Sequence, residues 1–231
     1  MKIAVSTPCK LCEKKRARRS CPGCDGEICA SCCGAERENS IDCPSSCDYL
    51  REARIHEVPP PLKMEDIPHQ DVKLSEDFIR SNEALVYTLG LAVKEAMANA
   101  PGNSTAVDAD AFEALEAMVQ SYKALGAGLI YEARSPNPYA AAIQEKIREG
   151  LEALRTALRN DPQLEKMVLP AGAAGHLRDS DILGSLVFSQ RLEIQYNNGR
   201  RRGRAFRDFL NGYITGSAIG SAPAQESPVI L

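Results

Sequence analysis

Residues 9–47 read CKLCEKKRARRSCPGCDGEICASCCGAERENSIDCPSSC and contain every one of the chain's nine cysteines. As spacing this is C-x2-C-x8-C-x2-C-x4-C-x2-C-C-x9-C-x3-C: four close pairs, the donor set that two tetrahedral thiolate sites require. The pairs are Cys9 with Cys12, Cys21 with Cys24, Cys29 with Cys32 or Cys33, and Cys43 with Cys47. A disulfide framework is disfavoured because the opening Met1-Lys2-Ile3-Ala4-Val5-Ser6-Thr7-Pro8 has no apolar run long enough for a secretory leader. Redox-active CxxC pairs normally open a helix in a βαβ setting, which this pattern lacks. An iron–sulfur cluster would use four thiols and leave the rest without a purpose. The expected cofactors are therefore two Zn²⁺.

Local chemistry agrees. Cys21-Pro22-Gly23-Cys24 has the form of a zinc knuckle, with proline stiffening the turn and glycine supplying a permissive backbone. In Cys43-Pro44-Ser45-Ser46-Cys47 the thiols are four residues apart, about one helical turn. Large apolar residues are few here (Leu11, Ile28, Ile41, Tyr49, Leu50), too few for a self-sufficient core. Metal is expected to supply most of the folding energy, on the order of 10 kcal/mol per structural site.

The spacing resembles the cross-brace, treble-clef-like zinc fingers of the MYND and HIT types. That resemblance implies one zinc on Cys9, Cys12, Cys29 and Cys33, with Cys32 as the alternative to Cys33, and another on Cys21, Cys24, Cys43 and Cys47. The chain departs from those families in closing on Cys-x3-Cys where they carry His-x3-Cys, and in lacking their aromatic residue between the last two pairs. The wording around Gly26-Glu27-Ile28-Cys29, Cys32-Cys33-Gly34 and Ile41-Asp42-Cys43-Pro44 is also similar to a group of poorly characterised bacterial proteins that join such a finger to a helical domain. This likeness implies a prokaryotic, cytoplasmic setting and carries no activity with it.

The expected organisation is a finger over 1–54, a Pro-rich linker or strap over 55–74, an all-α bundle over 75–215 and a disordered tail over 216–231. Val58-Pro59-Pro60-Pro61-Leu62 cannot continue a helix. From Ser75 a helix with the stripe Phe78, Leu85, Leu89, Val93 and Met97 runs to a stop at Pro101-Gly102. A second begins near Asp110 with Phe112, Leu115, Val119, Tyr122 and Leu125. Asn137-Pro138 starts a third, with the cleanest stripe: Ile143, Ile147, Leu151, Leu154, Leu158. After an irregular stretch with Pro170, Gly172 and Gly175, Asp179 or Asp181 caps a fourth through Leu183, Leu186, Val187 and Ile194, which Asn198-Gly199 ends. A fifth passes through Phe206, Phe209, Leu210 and Tyr213. No apolar run approaches the roughly eighteen residues of a membrane span.

Charge limits the functional classes. The chain has 28 Lys+Arg against 31 Asp+Glu, a net charge of −3, no Trp and 5% aromatic residues, a poor match to an overall nucleic-acid binder. Two basic clusters are local exceptions. Lys10, Lys14, Lys15, Arg16, Arg18 and Arg19 crowd the x8 loop; they either offset the thiolate charge of the zinc sites or contact phosphate. Arg191, Arg200, Arg201, Arg202, Arg204 and Arg207 form the second cluster, which either pairs with acids of the same chain or binds a ligand through the guanidinium fork. The stretch from Tyr122 to Arg134, rich in small residues, reads as a helix–helix contact with Glu132 paired to an arginine, or as one wall of a cleft with Gln190 and Arg191. His56, His69 and His176 read as ordinary polar residues, and no Ser-His-Asp, Cys-His or paired-carboxylate arrangement is visible. The expected role is a zinc-dependent adaptor binding a protein partner and not an enzyme; the alternatives are RNA or DNA binding through Lys14, Lys15, Arg16, Arg18, Arg19 and Arg200, Arg201, Arg202, Arg204, and an enzyme with a site in the bundle.

Overall fold

The computed structural model describes residues 7–59, 61–99, 105–168 and 177–215. The expected Pro101-Gly102 stop, the Pro170, Gly172 and Gly175 stretch, His176 and the tail from 216 lie outside the described residues. The chain divides into two compact units, and the division does not follow one cut along the sequence. One unit is Met1–Pro59 together with Asn198–Arg204; the other is Pro60–Asn197 together with Ala205–Leu231.

The first unit is built on a short antiparallel hairpin, β1 (Arg19–Cys21) and β2 (Gly26–Ile28), followed by α1 (Ala30–Glu36) and α2 (Asp48–His56). Its core is small, with Ile28, Ile41 and Leu50 packed among Cys9, Cys21, Cys29, Cys33 and Cys43. Thiols make up most of this core, so the unit has little apolar surface with which to offset chain entropy unless they are bridged. Gly23 is required by close approach and not by backbone freedom: a Cβ there would lie 2.5 Å from the Asp42 carbonyl oxygen and 2.7 Å from Ile41. The left-handed residue in that turn is Asp25, at φ 48°.

The second unit is helical. Ser75 caps α3 (Glu76–Ser81), its hydroxyl accepting the Phe78 N–H at 3.1 Å. The expected single first helix breaks at Asn82, whose N–H bonds to Phe78 and Ile79 carbonyls, and restarts as α4 (Glu83–Ala98). The break sets the Phe78 ring against Gly184, where a Cβ would lie 2.4 Å from it. Next come α5 (Asp108–Gly126), α6 (Pro138–Asn160) and α7 (Pro162–Val168), then α8 (Asp179–Tyr196) and α9 (Ala205–Ile214). Asn137 caps α6 by accepting from the Tyr139 N–H at 3.0 Å, with Pro138 in the first turn. α5 begins two residues before Asp110, whose carboxylate accepts the Val107 N–H at 2.8 Å. Arg178, not Asp179 or Asp181, holds the N-cap position of α8, and Asp181 turns back to Arg178 at 2.7 Å.

α4 packs on α6, α6 on α5, α5 on α8 and α8 on α4, with α9 laid against α4 and α8. The core holds Leu85, Leu89, Met97, Leu115, Ile143, Ile147, Leu151, Ile182, Leu186 and Phe206. α8 has a weak apolar stripe for a physical reason: it is buried on nearly all sides, and Ser185, Ser189, Gln190, Arg191 and Glu193 are buried along with its apolar residues. Arg191 shows how such burial is met. Its guanidinium donates to the carbonyls of Pro68 at 3.3 Å, His69 at 3.0 Å and Val72 at 3.0 Å, holding residues 68–72 as a strap on the helices. His69 Nε2 also lies 2.8 Å from the Glu116 carboxylate, and Lys123 pairs with Asp71 at 2.8 Å.

Candidate metal centre

The Sγ atoms of Cys9, Cys12, Cys29 and Cys32 all lie within 4.8 Å of one another, the one such group of metal-ligating side chains among the described residues. Cys12 and Cys29 sulfurs are 4.0 Å apart. Four thiolates at Zn–S distances of about 2.3 Å sit roughly 3.8 Å apart, so the cluster is close to a tetrahedral zinc shell.

Local backbone explains this. Cys29 is the N-cap of α1, and its sulfur accepts the Cys32 N–H at 3.4 Å. The Cys29 N–H in turn donates to Cys9 Sγ at 3.2 Å. Burial works against ionisation of Cys9, yet the N–H groups of Cys12, Cys29 and Leu11 bring it down to about 6. The Lys14 and Lys15 N–H groups lower Cys12. Cys32 is pushed up to about 12, first by its contact with Cys29 and then by burial and by Cys12 and Cys9. Thiolates crowded without a cation hold their protons on the last members of the set; a bound divalent cation removes that penalty and releases the protons. Soft donors in this geometry, with peptide N–H groups aimed at sulfur, fit Zn²⁺.

Cys33, expected as the fourth ligand, is not in the cluster; Cys32 takes its place. One step along a helix rotates a side chain by about 100°. Cys32 therefore faces back over the cap, and Cys33 turns into the core, buried beside Arg19, which donates to its sulfur at 3.3 Å.

The remaining thiols gather less tightly. Cys24 is pushed up to about 11 by burial and then by its neighbour Cys21. Burial raises Cys43; the Glu38 N–H opposes this, and the charges of Glu38, Cys21 and Cys47 add to it. Cys21, Cys33, Cys43 and Cys47 line a void of about 10 Å³. Cys47 is the N-cap of α2 and Cys43 precedes the helix, so the two are related by the turn from Pro44 to Cys47 and not by a helical repeat.

Glu38 was invisible in the polar run Ala35-Glu36-Arg37-Glu38-Asn39. It is fully buried, with φ 53°. Its carboxylate accepts from Arg54 at 2.6 Å, Asn198 Nδ2 at 2.9 Å and the Arg204 N–H at 3.2 Å, and its carbonyl accepts the Arg202 N–H at 2.7 Å. Burial alone would lower Arg54, and Glu38 and Glu57 more than reverse that. Arg204 is buried, donating to the Cys43 carbonyl at 3.2 Å and pairing with Asp42 at 2.7 Å. Arg200 donates to the Arg37 carbonyl at 2.7 Å. The second basic cluster is thereby divided. Arg191 and Arg207 belong to the helical unit, Arg200 and Arg204 are spent inside the cysteine-rich unit, and Arg201 and Arg202 are exposed, Arg202 at 3.6 Å from Asp42.

The first cluster is also partly consumed. Lys10 donates to the Cys24 carbonyl at 2.6 Å, Lys15 to Ser31 at 3.0 Å, and Arg19 stacks over Tyr49 with 4.5 Å to the ring centroid. Lys14, Arg16 and Arg18 are exposed. In the helical unit, Glu132 pairs with Arg148 at 2.6 Å and Arg134 at 3.0 Å. It lines a groove of about 390 Å³ with Tyr122, Leu125, Ile130, Tyr131 and Arg155; Gln190 and Arg191 take no part in it. No helix among the described residues is long and apolar enough to cross a membrane. Comparison with protein-family models, curated proteins and solved structures finds no match.

Proposed function

We propose that the chain is a zinc-binding adaptor holding two Zn²⁺, one on Cys9, Cys12, Cys29 and Cys32 and one on Cys21, Cys24, Cys43 and Cys47, interleaved in the cross-brace manner of the MYND and HIT fingers. The observation that carries the reading is the four-thiol cluster with peptide N–H groups directed at its sulfurs. The adaptor role draws support from the helical unit, where Leu125, Leu129, Ile130 and Tyr131 are exposed around one groove, an apolar surface of the kind that protein partners cover. The role is binding and not catalysis. RNA or DNA binding is the second reading, favoured by the exposed Lys14, Arg16 and Arg18 and weakened by the internal commitments of Arg19, Arg200 and Arg204.

Elemental analysis of purified protein tests the metal assignment. It should give two zinc ions per chain, about one in C32S and two in C33S; a wild-type content near zero or one, or equal loss from both variants, overturns it. Affinity capture with crosslinking in the native host, scored for protein and nucleic acid, tests the role. The wild type should recover a protein that a C9S/C12S variant does not, and recovery of nucleic acid alone favours the second reading.

A further inference from the structure

Asn198–Arg204 is a seven-residue excursion from the helical unit into the cysteine-rich one. Both of its flanks are fixed in the helical unit. The Asn197 N–H closes the last turn of α8 on the Glu193 carbonyl at 2.8 Å, and the Asp108 carboxylate accepts the Phe206 N–H at 3.0 Å and the Arg207 N–H at 3.3 Å at the start of α9. Between those anchors the segment is held by groups of the other unit. Glu38 accepts from Asn198, Arg202 and Arg204, Arg204 reaches the Cys43 carbonyl and Asp42, and Arg200 reaches the Arg37 carbonyl. The Glu38 carboxylate, buried in full, also takes Arg54. Glu38 thus joins two things: its peptide N–H points at the Cys43 sulfur, and its carboxylate and carbonyl bind the distant segment.

We infer that zinc binding by the cysteine-rich unit and the ordering of Asn198–Arg204 are one linked equilibrium, so that metal occupancy sets the state of the connection between α8 and α9. The inference rests on the zinc reading above. A unit whose core is mostly thiols loses its fold when the metal leaves, and with it goes the buried site where Glu38 meets Arg54 and Arg204. The segment then loses its hydrogen bonds to Glu38, Arg37 and Cys43 and its pairing with Asp42, and the ends of α8 and α9 fray from the side they share with it. Linkage makes the effect reciprocal: whatever factor metal contributes to ordering the segment, the segment contributes to metal affinity. The helical unit therefore reports the metal state without containing a ligand.

The test uses the full chain, its zinc measured first, with amide hydrogen exchange followed before and after chelation by EDTA. Removal of metal should speed exchange in 198–204 by roughly a hundredfold and in 193–197 and 205–208 by roughly tenfold, with 140–157 of α6 unchanged. E38Q keeps all nine thiols and the side-chain shape, and should weaken zinc affinity by about 10- to 100-fold in competition with a chromophoric chelator. N198A, which leaves the cysteine segment untouched, should weaken it several-fold. Zinc-loaded protein in which 9–47 opens on chelation while 193–208 exchanges as before overturns the linkage alone, as does unchanged zinc affinity in both variants. Protein that binds no zinc overturns both readings.

Discussion

Glu193 gives the helical unit a pH dependence whose sign is the reverse of ordinary acid denaturation. It is 3% exposed in α8, and burial first, then the charge of Asp108, push its carboxyl up to about 8, against the opposing hydrogen bond from Asn197. The ordinary value is 4.5. Below pH 4.5 folded and unfolded chains both carry the proton, and Glu193 costs nothing. Between 4.5 and 8 the unfolded carboxyl is ionised and the folded one is not, so the folded state binds more protons and loses stability as pH rises. At about 1.4 kcal/mol for each pH unit the loss reaches on the order of 5 kcal/mol above pH 8. E193Q keeps the size and polarity but has no proton to lose. Denaturant unfolding followed by far-UV circular dichroism should find E193Q more stable than wild type by several kcal/mol at pH 8.5, and within about 1 kcal/mol of it near pH 4.5. Comparing the two chains at each pH cancels the titration of the thiols. A stability difference that does not change with pH refutes the reasoning.

Three further outcomes are expected. G23A drives a methyl into the Asp42 carbonyl oxygen and Ile41 and should lower zinc retention under dilute EDTA, with the thermal unfolding of the helices little changed. R191M removes the donor to three strap carbonyls and should cost about 3 kcal/mol, visible as faster hydrogen exchange at 68–72. If the exposed cations bind nucleic acid, a K14A/R16A/R18A variant should lose RNA affinity and flatten its salt dependence; a salt-independent interaction that survives the triple change points to the protein partner.

Much of the helical unit was legible because its signals are local. Ser75 and Asn137 cap the helices that their positions announced, and the stripe of α6 is buried at Ile143, Ile147, Leu151 and Leu158. The break at Asn82 was not legible, because it answers to the fit of Phe78 against Gly184 a hundred residues away. In α5 the buried face is Ala111, Ala114, Leu115, Met118 and Val119, turned from the expected stripe, and Leu125 faces the groove. Ala111 and Ala114 are fully buried in the helical core, and counting large residues alone could not see that.

The cysteine block divides the same way. Spacing alone pointed to Cys9 with Cys12 and to Cys29 with one of its two neighbours as close pairs, and these meet in the four-thiol cluster, because two or three intervening residues set whether two sulfurs reach one ion. Which of Cys32 and Cys33 joins the first cluster depended on the rotation of α1 about its axis, and that rotation follows from packing Cys33 against Ile28, Ile41 and Leu50. The arginines from 200 to 204 and the buried Glu38 lie some 160 residues apart in the chain, and no local pattern encodes their meeting. Sequence by itself determined that this protein has a thiol-rich module and a body of amphipathic helices. Only tertiary structure decided that the module is completed by a segment returning from between the last two helices, because a buried charge must find its partners wherever the fold brings them.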